Sequence, residues 1–279
     1  MNVKPFFKYC RERYQILLNR RAGLSKPWTR DKILQRYSFC NVRREDDKTT
    51  VWFREAFRSS PKVTVFSCVA FRFFSRISTG KILVQHNLLA DWNEKLARKV
   101  LKDVHPLVTG AYIVKAYPGM TKLEGIIRVL RPVWKAQQEG LFDDTKGCTL
   151  ERAHQKLMVF PYVGTFMAHE AIMDLRFTPI LSNAPDWATW AAAGPGAARG
   201  LSRVTGKPLD HFNYHGEKSR AEMLELMRYI RLRSQSEKFW PNEFPPMDVH
   251  TVEFSLCEFD KFERTRLGEG RPKSLYAGL

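Results

Sequence analysis

The chain has 279 residues, 44% of them hydrophobic and 13% aromatic, and carries 46 Lys and Arg against 29 Asp and Glu for a formal charge of +17. That balance excludes a disordered or low-complexity chain and leaves ample length for a buried core. The charge is uneven: residues 1–100 hold 22 Lys and Arg against 8 Asp and Glu, so the basic N-terminal third, interleaved with aromatics, points to a polyanionic partner such as DNA.

Taken in order, residues 5–21 predict an amphipathic basic helix with Tyr14, Leu17 and Leu18 on its apolar side. Thr29 reads as the N-cap of a second helix that runs through Cys40. The charged run Asn41 to Lys48 has the make-up of a solvated face, but it lies between Tyr37 and Phe39 on one side and Trp52 and Phe53 on the other, so some of its charges should sit near the core. Residues 51–78 predict one helix with Arg72 and Arg76 on an apolar face, and residues 86–104 another. Residues 107–119 fit strand or helix equally. Helices follow around 121–138 and 150–160, then FPYVGTFMAHEAIMDLRFTPIL. After Gly206-Lys207-Pro208, SRAEMLELMRYIRLRSQ predicts a helix, and a last element runs from His250 to Tyr276. No repeat or long linker divides the chain.

Residues 184–206, APDWATWAAAGPGAARGLSRVTG, predict a helix-hairpin-helix: an alanine-rich run, a tight Gly194-Pro195-Gly196 turn and a second helix. Backbone N–H groups at such a turn suit a DNA phosphate. Gly194, Gly196, Arg199 and Arg203 are therefore the candidate DNA-binding residues, although a hairpin serving only the core has the same pattern. Glu170 and Asp174, four apart, share a helix face in an apolar setting and are candidate general bases, with Arg176 beside them. Asn41, Arg43 and Arg44 are candidate phosphate clamps. Asp260 and Lys261, in EFDKFER, form a candidate acid/base pair next to the basic loop at 268–271.

Other chemistries are disfavoured. Cys10, Cys40, Cys68, Cys148 and Cys257 are odd in number, far apart and without a CxxC pair, which fits a reducing compartment and no cysteine-zinc site. His211 and His215 lie between Pro208 and Gly216 without an accompanying HExxH glutamate, so no metal site is expected. Gly80-Lys81 and Gly206-Lys207 lack the rest of a P-loop. No apolar run reaches membrane-spanning length and the opening residues lack a signal-peptide core, so the expectation is an intracellular chain with no membrane partner.

Several unusual strings occur in one order: ERYQILLNRR with KPWT and FCNVRREDD, then HEAIMDLRFT and TWAAAGPGAARGL, then SLCEFDKFER with GEGRP. With these the chain resembles the α-glutamyl/putrescinyl-thymine pyrophosphorylases of DNA viruses. Some members of that family are described as amino acid:DNA transferases, and homologous helical domains are fused to 5-hydroxymethyluracil DNA kinases. The resemblance implies a mainly α fold related to the helix-hairpin-helix DNA glycosylases, as one helical DNA-modifying domain over residues 1–279. It further implies a phage enzyme of thymine hypermodification, acting in the host cytoplasm. Such an enzyme would displace phosphate or pyrophosphate from 5-phosphomethyluracil in DNA with an amine, either an amino acid such as glycine or a polyamine. The base would be flipped against Trp28, Trp187 or Trp190. No cofactor is expected beyond the amine, a divalent metal staying open, and a 5-hydroxymethyluracil DNA kinase is the expected functional partner. Asp210 falls 14 residues after Gly196, too close for the catalytic aspartate of the glycosylases, which favours Asp174 and Glu170. Glycosylase-like cleavage of modified thymine and a non-catalytic DNA-binding subunit are the alternatives.

Overall fold

A computed structural model describes residues 1–57, 62–115, 117–272 and 275. Among these there are twelve α-helices: α1 (Lys4–Arg21), α2 (Lys32–Arg36), α3 (Lys48–Phe57), α4 (Val65–Phe74), α5 (Ile77–Gln85), α6 (Glu94–Leu101), α7 (Lys122–Gln138), α8 (Leu150–Met158), α9 (Gly164–Leu175), α10 (Pro195–Thr205), α11 (Glu217–Arg233) and α12 (Val249–Arg266). Two 3₁₀ turns, Arg44–Asp46 and Asp143–Thr145, and one isolated antiparallel bridge, Tyr37 to Leu275, complete the described regular structure. The chain is mainly α, as expected. It divides into two compact units: Met1–Asp47 with Ala188–Leu279, and the continuous segment Lys48–Trp187.

The first unit is built on α10 against α12. Gly196 faces Cys257, and Gly200 faces the Leu256 backbone. With no Cβ at either position, spaced one helical turn apart on one face, the two helices approach closely. Their apolar faces (Ala197, Leu201 and Val204; Val252, Leu256 and Phe259) join a core completed by α1 and α11. Aromatic pairs tie α1 into it: Phe6 meets Phe259 edge-on at 5.7 Å and Tyr9 meets Phe262 at 5.1 Å between centroids. The Asp248 carboxylate caps α12 by accepting from the Thr251 N–H.

The second unit surrounds α4, whose ten residues are all buried. A helix so largely apolar belongs inside a core, and α4 packs on α7 and α9, with Arg72 as its one charged side chain. Phe53 stacks on Phe71 at 4.5 Å, and Phe66 contacts Trp134 at 4.9 Å. Side-chain caps set the starts: Thr64 and Ser67 form a capping box on α4, and Asn93, Thr121 and Thr149 cap α6, α7 and α8. No helix of the described residues is long and apolar enough to cross a membrane.

Five local expectations are corrected. Thr29 does not cap the second helix; Asp31 does, accepting from the Ile33 and Leu34 N–H groups, and the helix ends at Arg36. The segment 51–78 is not one helix, because Ser75 adopts a left-handed conformation (φ 45°) that closes α4 before α5 begins; residues 58–61 of that expectation lie outside the described residues. The 86–104 helix starts only at Glu94, where Asn93 supplies the cap. The alanine-rich run before Gly194 is not helical, so α10 has no preceding helix to make a hairpin. Gly194, held extended before Pro195, donates its N–H to Glu253, while Arg228 donates to the Thr189 carbonyl and the Val249 N–H to the Ala188 carbonyl. Those partners satisfy the backbone that a helix would otherwise satisfy internally. The last element closes at Arg266, and of its expected continuation residues 273–274 and 276 lie outside the described residues.

Gly200→Ala should destabilise the first unit by about 1–3 kcal/mol although Ala is the better helix former, because its methyl group would meet the Leu256 carbonyl. Urea midpoints for Gly200→Ala and Gly206→Ala check this; at Gly206, which has open space but a φ of +73°, the loss comes from backbone strain alone.

Candidate functional site

The residues singled out in the sequence fall into two groups. Glu170, Asp174 and Arg176 lie in the second unit; Asn41, Arg43, Arg44, Gly194, Gly196, Arg199, Arg203, Asp260 and Lys261 lie in the first.

In the second unit Asp174 is buried on α9 and grips Arg72 of α4 with both oxygens, accepting at 2.5 Å from Nε through Oδ2 and from the second guanidinium nitrogen through Oδ1. Glu170, one turn earlier and also buried, stands 3.8 Å from the same guanidinium. Arg72 donates further to Thr50 Oγ1 at 3.2 Å. The geometry is a buried carboxylate pair sharing one arginine, a fork-to-fork contact of the strong type. Arg176 is 1% exposed, with its guanidinium 3.7 Å from the Trp187 ring centroid, and Trp187 in turn donates its indole N–H to the Arg176 carbonyl.

In the first unit Asp260 has no exposed surface and collects three arginines: Arg199 Nε at 2.9 Å and Arg203 Nε at 2.8 Å from α10, and Arg264 at 3.4 Å one turn along α12. Arg203 also reaches Glu269 at 2.5 Å, and that contact holds the Glu269 carboxyl below its ordinary range. Arg199 and Arg203 thus share a face as expected, and the face they share is turned to Asp260. Gly194 is the N-cap of α10, and Gly196 lies against α12.

The loop from Phe39 to Asp47 crosses the same α12. The Cys40 N–H donates to Glu258 at 2.8 Å, and Lys261 pairs with that same oxygen at 2.9 Å while its ammonium sits 4.7 Å from the Phe39 ring centroid. Asn41 accepts from Arg13 at 2.8 Å and donates its amide to the Asp46 carbonyl at 2.8 Å and to Asp47 Oδ1 at 3.1 Å. Arg44 is buried with its guanidinium 5.8 Å from the Phe254 ring, and Arg43 lies 3.9 Å from Glu45. Burial pushes the Asp47 carboxyl up to about 6, against the opposing pull of the Asn41 N–H and of Arg44. Asp47 is the group that sequence reasoning passed over, its only signal being the placement of the charged run between aromatic residues. All five thiols are raised by burial, so none is an activated thiolate.

Asp174→Asn should cost up to about 3–5 kcal/mol in stability, because it breaks the two-oxygen grip on the buried Arg72 charge and leaves that charge to the longer Glu170 contact at 3.8 Å. Thermal melts of Asp174→Asn beside the charge-free triple Arg72→Met/Glu170→Gln/Asp174→Leu check it, the triple variant regaining most of the loss. For Asp47, the folded chain between pH 3.8 and about 6 holds a proton that the unfolded chain has lost, so unfolding free energy falls as pH rises through that window. Asp47→Asn should remove that slope, worth at most about 3 kcal/mol, when urea unfolding is compared from pH 4 to pH 7.

The family model described as "5-hmdU DNA kinase, helical domain" matches residues 2–271. A 5-hmdU DNA kinase of Bacillus phage SP10 is 27% identical over 207 residues, which cover 65% of this chain and 32% of the phage protein. The chain therefore spans about a third of the length of that curated relative. No solved structure matches.

Proposed function

The chain belongs to the 5-hmdU DNA kinase helical-domain family, and from that premise we propose that it acts on thymine-derived bases in phage DNA. In this reading it is a transferase that displaces phosphate or pyrophosphate from 5-(phosphoryloxymethyl)uracil with an amine, glycine or another amino acid or a polyamine. It would work inside the host cell beside the kinase that makes its substrate.

The observation that carries this reading is the tuned carboxyl of Asp47 in a setting of amide and cationic groups. The amine must lose a proton, its nitrogen then bonds to the exocyclic methylene carbon, and the carbon–oxygen bond breaks with its electron pair leaving on the phosphate. A base whose pKa lies near 6 both exists as carboxylate at neutral pH and holds a proton strongly enough to take it from the attacking nitrogen. Arg44, with Asn41 and Arg43, supplies the fixed positive and amide groups that a departing phosphate needs. Asp174, Glu170 and Asp260, whose oxygens already engage arginines, serve in this reading as anchors that hold those cations in place. Trp28, half-buried with Arg20 and Lys26 at 5.3 and 5.4 Å from its ring, offers a stacking wall for a base turned out of the helix.

A second reading, a DNA-binding module without chemistry of its own, is favoured by the match of residues 2–271 to a family model described as the helical domain of a kinase. Mass spectrometry of nucleosides from DNA containing 5-phosphomethyluracil, after incubation with the protein and a mixture of amino acids and polyamines, separates the two. The transferase yields a nucleoside carrying an amine in place of phosphate, and Asp47→Asn lowers that yield by about 10²–10⁴-fold with little change in DNA affinity. Unchanged nucleosides despite tight binding favour the module, and released base or abasic sites favour glycosylase-like cleavage.

A further inference from the structure

We infer that a cleft in the first unit, between the N-terminal half of α1, the residues leading into α2, the Lys238-Phe239 segment and the C-terminal half of α12, seats the sugar-phosphate backbone of a DNA strand. This rests on DNA being the partner proposed above, and not on amine transfer.

The cleft measures about 910 Å³ and is walled by Tyr9, Phe239 and Phe262. Six cations line it against three carboxylates. The carboxylates are occupied: Glu12 accepts from the Thr29 hydroxyl, Asp31 caps α2, and Glu263 pairs with Arg266 at 2.7 Å. Arg11 donates to the carbonyls of Lys238 and Phe239 at 2.8 and 3.1 Å and so closes one wall. Lys4, Lys8, Arg30 and Lys238 are exposed and have no ion-pair partner among the described residues. Lys4, Lys8 and Arg11 follow one another at spacings of four and three, which sets them in a single row along one face of α1. A row of cations without counter-ions, beside aromatic walls, matches a strand whose charges repeat along its length and whose sugars and bases offer apolar faces. By contrast, Arg199 and Arg203, the cations the sequence nominates for this work, are spent on Asp260. The cleft therefore positions the strand through its phosphates and carries no base readout of its own.

The test is fluorescence anisotropy of a labelled DNA duplex with the full chain, titrated between about 50 and about 200 mM salt. Lys4→Glu/Lys8→Glu should bind at least tenfold more weakly and lower the slope of log affinity against log salt by about 2. A charge-matched control, Lys207→Glu/Lys218→Glu, alters two exposed lysines of the same unit that do not line the cleft, and should change affinity less than threefold. Equal weakening by both variants, or an unchanged slope in the cleft variant, overturns the inference while leaving DNA binding itself intact. Should the acidic pair unfold the chain, as judged by circular dichroism, Arg30→Gln/Lys238→Gln makes the same test from the opposite walls. Binding that depends on the cleft, with nucleosides left unchanged, supports this inference and removes the transferase.

Discussion

The first unit depends on how closely α10 can lie on α12. Two glycines one turn apart remove the side chains that would hold the helices away from each other, and the contact they permit is backbone against backbone at Leu256. Close packing brings Arg199 and Arg203 within reach of Asp260, a carboxylate with no exposed surface. A charge so buried survives only when it is neutralised on the spot. Packing and ion pairing are thus one constraint. The same helix α12 turns Glu258 and Lys261 toward the Phe39 to Asp47 loop, whose Cys40 N–H donates to Glu258.

A chain of this charge does not offer all its cations to a partner. Arg72 is absorbed by Asp174, Arg176 lies on Trp187, and three arginines converge on Asp260. What distinguishes Lys4, Lys8, Arg30 and Lys238 in the cleft is the absence of any such claim on them among the described residues. Local supply of carboxylates, more than the count of basic residues, decides where a polyanion can be held.

Much of the local structure was legible. The helices at 121–138, 150–160 and 219–235 follow from apolar periodicity with threonine caps or a preceding glycine, and α1 from its apolar side of Tyr14, Leu17 and Leu18. The alanine run misled because propensity is a weak prior when side chains from far along the chain, Glu253 and Arg228, take up its backbone groups. Ser75 gave no sign of its left-handed turn, being neither glycine nor asparagine. The site was legible by composition only. Glu170, Asp174 and Asp260 were visible as carboxylates in apolar surroundings, but the arginines that hold them are set by packing. The raised carboxyl of Asp47 is created by burial that no short window of residues displays.

The division of the chain has a consequence for how the protein is made. The second unit is one uninterrupted stretch, whereas the first is assembled from residues 1–47 and residues after 187. A ribosome therefore delivers everything the second unit needs before α10 or α12 exists, and that unit can close while synthesis continues. Phe6, Phe7 and Tyr9 are made well before the partners they find, Phe259, Phe239 and Phe262. The greasy face of α1 waits until the residues after 187 have been made, a long loop to close and a span in which chaperones have something to hold.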